Sequence, residues 1–93
     1  MLVRELRAED ASKIILRPYV TEKTFEMLEK ENKIVFIVDD GSSKGAIKNA
    51  VETLYKIVVD SVNTVKTIHG KKAYVVLHSD YSASELASRM GLV

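Results

Sequence analysis

The chain has 93 residues, of which 46% are apolar and 29% charged, with a net charge of +1 and no cysteine. That length holds one domain, residues 1–93, around one modest core, and the composition excludes an intrinsically disordered chain. The missing cysteine excludes a disulfide frame, a thiolate nucleophile and a cysteine metal site, and fits a reducing compartment.

The N-terminal stretch MLVRELRAEDASK alternates charged with apolar residues and has no apolar signal core. No apolar run approaches the roughly 18 residues that would span a bilayer, so no membrane insertion and a cytoplasmic location are expected. KIILRP (13–18) is a short apolar run ended by the only proline, which predicts a short strand or extended lead-in. Pro18 holds Arg17 extended. Thr21 is the predicted N-cap of a helix over 22–31, with Phe25, Leu28 and Met27 as its apolar face and Glu22 complementing the helix dipole.

NKIVFIVDD (32–40) is a continuous β-branched and aromatic run, which predicts a central strand covered on both faces. DDGSS is a turn with a built-in N-cap, Ser42 or Ser43, before a helix over 44–56. Ile47, Ala50, Val51, Leu54 and Tyr55 recur at helical spacing and mark its buried side. Gly45 weakens its first turn by up to about 1 kcal/mol relative to alanine.

IVVDSVNTVKTI (57–68) predicts a long strand in which Val62 falls out of the alternation begun by Ile57 and Val59. Either the core side switches or a bulge lies near Asp60–Ser61. His69–Gly70 makes a tight reversal into KKAYVVLHS (71–79), with Ala73, Val75 and Leu77 on one face and Lys72, Tyr74, Val76 and His78 on the other. Ser82 or Ser84 then caps a short helix with Leu86, Ala87 and Met90 as apolar positions, stopped at Gly91. The order β-α-β-α-β-β-α predicts an α+β domain of two or three layers, built on a mostly antiparallel sheet.

No catalytic constellation accompanies these elements. His69 and His78 lack metal-ligand spacing, DDGSSKG lacks the phosphate-loop spacing, and no serine sits in a nucleophile elbow. Asp39 and Asp40 are neighbours at a strand end and would point apart. The pattern therefore argues against an enzyme and a metal site, and no cofactor is expected.

A binding surface remains. Residues 1–40 carry seven cations and nine anions, whereas residues 44–72 carry six lysines against Glu52 and Asp60. This predicts one basic face and one neutral or acidic face, the alternative being charges scattered over a solvated surface. Lys44 and Lys48, spaced i, i+4, share one side of a helix, with Lys48–Glu52 as an alternative surface pair. Lys66, Lys71 and Lys72 flank the hairpin turn and are expected to cluster. With Asn63, Thr64 and Thr67 between the clusters, the pattern suits phosphate and 2′-hydroxyl contacts on folded RNA. Tyr74 has two readings: stacking on a base, or packing under the C-terminal helix.

LRPYVTEKTFEMLEKENKIVFIVD, SKGAIKNAVETLYKIVVDSVNTV and GKKAYVVL together resemble the universal large-ribosomal-subunit protein family number twenty-three, over about residues 14–78. The closing SDYSASELASRMGLV is similar to its archaeal members in particular. The resemblance implies a four-stranded, mostly antiparallel sheet with helices packed on it, layered α/β/α. It implies a structural role in the large subunit beside the exit of the peptide tunnel, with large-subunit ribosomal RNA and neighbouring ribosomal proteins as partners. Signal recognition particle and the translocon, the protein-conducting channel, are the implied transient partners. By position, it implies RNA contacts at Lys23, Lys44, Lys48, Asn63, Thr64, Lys66, Lys71 and Lys72, to which Arg17 and Tyr74 are added, and factor docking at Glu22. Two departures stand out. The long basic loop that bacterial members carry between the last two strands is reduced here to about IHGK, and Gly45 replaces a usual helix former. A small-molecule-binding regulatory domain or a small hydrolase of the same layout are the alternatives.

Overall fold

The computed structural model describes residues 8–92. The chain forms α1 (Ala8–Ile14), β1 (Ile15–Pro18), α2 (Glu22–Glu31), β2 (Lys33–Val38), α3 (Lys44–Tyr55), β3 (Val59–Thr67), β4 (Gly70–Leu77) and α4 (Ala83–Arg89). The four strands make one antiparallel sheet in the order β1-β2-β4-β3. The expected α+β class and four-stranded antiparallel sheet are both present.

The first helix was not expected. Lys13 and Ile14 close α1, and the strand predicted from residue 13 begins at Ile15. Seven residues are too few to show a helical period or to be stable alone. Tertiary packing holds them: Ala11 is fully buried, and α1 lies against α3.

β2 lies between β1 and β4, and every residue from Ile34 to Val38 is buried, as its unbroken apolar run predicts. Ile34, Phe36 and Val38 join a single cluster with Ala73, Val75 and Leu77 of β4 and with buried side chains from all four helices. One α layer is therefore plain. Tyr55 of α3 stacks on Phe36 at 5.7 Å between ring centroids, and burial raises its hydroxyl pKa. On the opposite face Val35 and Ile37 are buried outside that cluster. We call this second side the outer face.

The displaced Val62 is explained by a bulge, the second of the two expected arrangements. The β3–β4 register shifts between Val59 and Ser61, so Ile57, Val59 and Val62 are all buried on the cluster side. Glu52 of α3 tightens this point by accepting the Val59 N–H at Oε2, 2.9 Å away. Its carboxylate thus serves the bulge rather than the Lys48–Glu52 surface pair.

The caps follow the predicted residues. Ser43 accepts the Ala46 N–H at the start of α3, and Ser82 accepts the Glu85 N–H at the start of α4. Gly91 ends that helix with φ 78°, and Leu92 folds back on the core. In α2 the buried pair is Thr24 and Leu28, one turn apart, whereas Phe25 is 37% exposed. The apolar face predicted through Phe25 is thus shifted by one position. Phe25 instead lines a groove of about 250 Å³ with Leu28, Glu29 and Ser84.

α2 ends at Asn32, which adopts the left-handed conformation at φ 53°. Its Nδ2 donates to the Leu77 and Tyr81 carbonyls at 3.2 and 2.9 Å, and its Oδ1 accepts the Ala83 N–H at 2.7 Å. Its own carbonyl accepts the Leu77 N–H. One residue therefore joins the end of α2, the end of β4, the following turn and the start of α4.

Urea unfolding tests two of these positions. Asn32→Ala removes three side-chain hydrogen bonds and disfavours the left-handed backbone, so it should cost about 2–4 kcal/mol. Gly45→Ala should stabilise by about 0.5–1 kcal/mol, because an added Cβ would meet only Ser43 Oγ at 3.9 Å. A loss of stability at Gly45→Ala would show that the first turn of α3 requires glycine.

Candidate nucleic-acid interface

Strand alternation decides which of the predicted residues can act together. Across the sheet, Arg17 pairs with Ile37, Ile37 with Lys72, and Lys72 with Val65. In the adjoining row Val35 pairs with Tyr74, and Tyr74 with Asn63. Both rows lie on the outer face. Arg17, Asn63, Lys72 and Tyr74 are therefore brought together, with two cations and no carboxylate among the paired positions.

Tyr74 is half-buried on this face, whereas the buried residues of α4 join the cluster on the other. Its ring is thus not packed under the C-terminal helix. Tyr19, which the sequence reading did not single out, completes the surface. The Lys72 ammonium lies 4.0 Å from the centroid of the Tyr19 ring, and His69 of the hairpin turn is 6.1 Å from it, ring to ring. The signal for Tyr19 was its place two residues after Arg17, on an edge strand continued by the Tyr19 N–H bond to the Val35 carbonyl.

Lys71 and Lys72 do not act as a pair, because neighbours on a strand point to opposite faces. Lys71 lies opposite Lys66 and Val38, on the cluster side. Its ammonium donates to the Ser42 carbonyl at 2.7 Å and to the Asp40 carbonyl at 3.4 Å, holding the loop that enters α3. Lys66 is 3.5 Å from Asp40 Oδ2, and both side chains are largely exposed, so this ion pair contributes little. The expected cluster of Lys66, Lys71 and Lys72 is thus split by the pleat. Thr64 lies opposite Ala73, on the same side as Lys66.

Lys44 and Lys48 are exposed on α3, whose entry the Lys71 contacts adjoin. Lys66, opposite Lys71 on β3, lies on the same side of the sheet as that entry and away from the outer face. Glu22 and Lys23 lie at the opposite end of the sheet, where β1 leads into α2.

A capping box sets the geometry of Glu22 and Lys23. Thr21 Oγ1 accepts the Thr24 N–H at 3.2 Å, and Thr24 Oγ1 accepts the Thr21 N–H at 2.7 Å. The two threonines turn inward on each other, which leaves both intervening side chains exposed. Successive helical positions differ by about 100°, so the two charges diverge.

The hairpin turn between Thr67 and Gly70 is short, held by Thr67 Oγ1 donating to the Gly70 carbonyl at 2.8 Å and accepting the His69 N–H. Gly70 adopts φ 112°, which favours glycine. No long loop projects from this edge.

A family model described as ribosomal protein L23 matches residues 13–82. The large ribosomal subunit protein uL23 of Picrophilus torridus is 50% identical over 78 residues, covering 84% of this chain and 95% of that protein. The protein of the same name from Methanococcus aeolicus is 42% identical over 84 residues, covering 89% of this chain and 98% of that one.

The divided lysines separate by stability. Lys71→Met removes a charged donor from the Ser42 carbonyl and should lower stability by about 1–2 kcal/mol. Lys72→Met gives up only the contact with the Tyr19 ring and should cost less than about 1 kcal/mol. Urea midpoints of the two variants check this, and equal destabilisation would contradict the assignment.

Proposed function

Because the chain belongs to the ribosomal protein L23 family, we propose that it binds large-subunit ribosomal RNA through the outer face of its sheet, near the peptide exit tunnel. It is a protein of the large ribosomal subunit, and its relatives are ribosomal proteins rather than enzymes. Its place is therefore the cytoplasmic ribosome. The observation that carries the RNA reading is the convergence of Arg17, Lys72, Tyr74 and Asn63 on one face whose paired positions hold no carboxylate. Guanidinium and ammonium groups neutralise phosphates, while the amide and the ring suit sugars and bases. Lys44, Lys48 and Lys66 supply a second basic region for the RNA backbone, with Thr64 beside it. Lys71 braces the loop between them, and Lys23 adds a phosphate contact at the start of α2.

Glu22 belongs to the other side of this division. Exposed in the first turn of α2 and diverging from Lys23, it offers an acidic point to visiting factors. In this reading the factors are signal recognition particle and the protein-conducting channel. The short Thr67–Gly70 turn gives the chain no tunnel-lining extension.

Affinity for a fragment of its own large-subunit RNA should fall steeply with rising salt, in proportion to the phosphates neutralised. Arg17→Glu with Lys72→Glu should abolish most of this binding. Glu22→Lys should leave it intact while weakening capture of signal recognition particle by ribosomes carrying the variant. Salt-insensitive binding would contradict the RNA reading. Equal reduction of RNA affinity in the Glu22 and Lys72 variants would contradict the division between the two sides.

A further inference from the structure

Within the outer face, Tyr74 and Asn63 stand directly opposite each other on β4 and β3. Direct cross-strand neighbours hold their Cβ atoms about 5 Å apart. That is close enough for a ring and an amide to engage the same planar group. Asn63 is exposed, and its amide has no hydrogen-bond partner among the described residues. The Tyr74 ring has no aromatic neighbour among them either, unlike Tyr19, which has the Lys72 ammonium over it and His69 beside it. Lys72 lies two residues before Tyr74 on the same face, about one nucleotide's reach along the strand.

We propose that Tyr74 and Asn63 form a nucleobase subsite, in which an unpaired nucleotide of the bound RNA stacks on the Tyr74 ring. This rests on the RNA reading above and names the kind of RNA that the site takes. Asn63 offers both a donor and an acceptor, so it meets the edge of the stacked base. Lys72 takes the adjoining phosphate, exchanging its interaction with Tyr19 for a charge-assisted hydrogen bond. A continuous RNA duplex cannot use this subsite, because its bases are stacked on each other and its deep groove is closed to side chains. The occupant is therefore a loop, a bulge or an extruded base. The absence of carboxylates from the paired positions fits an anionic strand lying across this face.

The test uses the full chain with two probes, a single-stranded oligouridylate and a blunt RNA duplex of equal length, in a salt series followed by fluorescence anisotropy. Tyr74→Leu should weaken binding of the single strand by about five- to a hundredfold. The slope of log affinity against log salt should not change, and duplex binding should be little altered. Lys72→Met should lower that slope by about 0.7, the value for one fewer phosphate neutralised on a single strand. Tyr74→Phe keeps the ring and should bind as the parent does. Asn63 is exposed, so Asn63→Ala retains the fold, and it should weaken binding by about two- to tenfold. It decides the matter if circular dichroism shows Tyr74→Leu to be unfolded. If the parent chain binds the single strand but Asn63→Ala and a folded Tyr74→Leu bind equally well, the subsite is overturned and the RNA reading stands. Equal weakening on both probes also overturns the subsite. If the parent binds neither probe nor its ribosomal RNA fragment, both proposals fall.

Discussion

The Asn32 junction is the constraint on which the rest of the arrangement depends. A helix ending in a left-handed residue reverses the chain abruptly, and asparagine tolerates that conformation better than most residues. Here the same side chain also satisfies two carbonyls and one N–H from residues 45 to 51 positions later. The junction therefore fixes β2 against β4 and fixes the start of α4 relative to the end of α2. The N–H of Ala83 is one of the orphan donors of α4, and the Asn32 Oδ1 supplies its acceptor. Without that bond, the short α4 would rely on the Ser82 cap and the burial of Ala83, Leu86 and Ala87.

With β2 placed centrally, the pleat divides the cations. Successive residues of a strand must point to opposite faces, so two adjacent lysines on β4 are separated by the sheet itself. Lys72 goes to the outer face and Lys71 to the side that carries the helices. A single register slip would exchange them and also expose Ala73 and Val75. The burial of Phe36, Ala73 and Val75 therefore specifies which lysine can reach a partner. The bulge at Val59–Ser61 serves the same end. It returns Val62 to the core and, by parity, leaves Asn63 on the outer face beside Tyr74.

Much of this was legible in the amino-acid sequence because it depends on local pattern. The unbroken IVFIV run, the broken alternation before Val62, the cap residues Ser43 and Ser82, and the alternation of Ala73, Val75 and Leu77 each carried their meaning in a few neighbouring residues. α1 was not legible, because its seven residues owe their helical form to α3, about thirty residues further on. The displacement of the apolar face from Phe25 to Thr24 was hidden too: a threonine inside a helix reads as neutral unless its hydroxyl is known to close a capping box. The clustering of Lys66, Lys71 and Lys72 failed for a different reason. Closeness in sequence beside a turn suggested closeness in space, and the pleat overrode it. The role of Asn32 could not be read at all, since its partners are defined only once β4 and α4 have folded against it.

The capping box explains how one short stretch serves two sides of the molecule. In RPYVTEKT the threonines at either end of T-E-K-T satisfy each other's backbone donors, so the helix start needs no help from Glu22 or Lys23. Both side chains are left in solvent, one helical position apart, where they do not face each other and make a poor ion pair. Glu22 still gains from the positive end of the helix dipole, whereas Lys23 is slightly disfavoured there. A lysine in that first turn is a small stability defect, and this is what a residue placed for an anionic partner is expected to show. Pro18 adds to the arrangement by ending β1 just after Arg17, so that the edge strand delivers a cation to the outer face and the chain then turns directly into the helix.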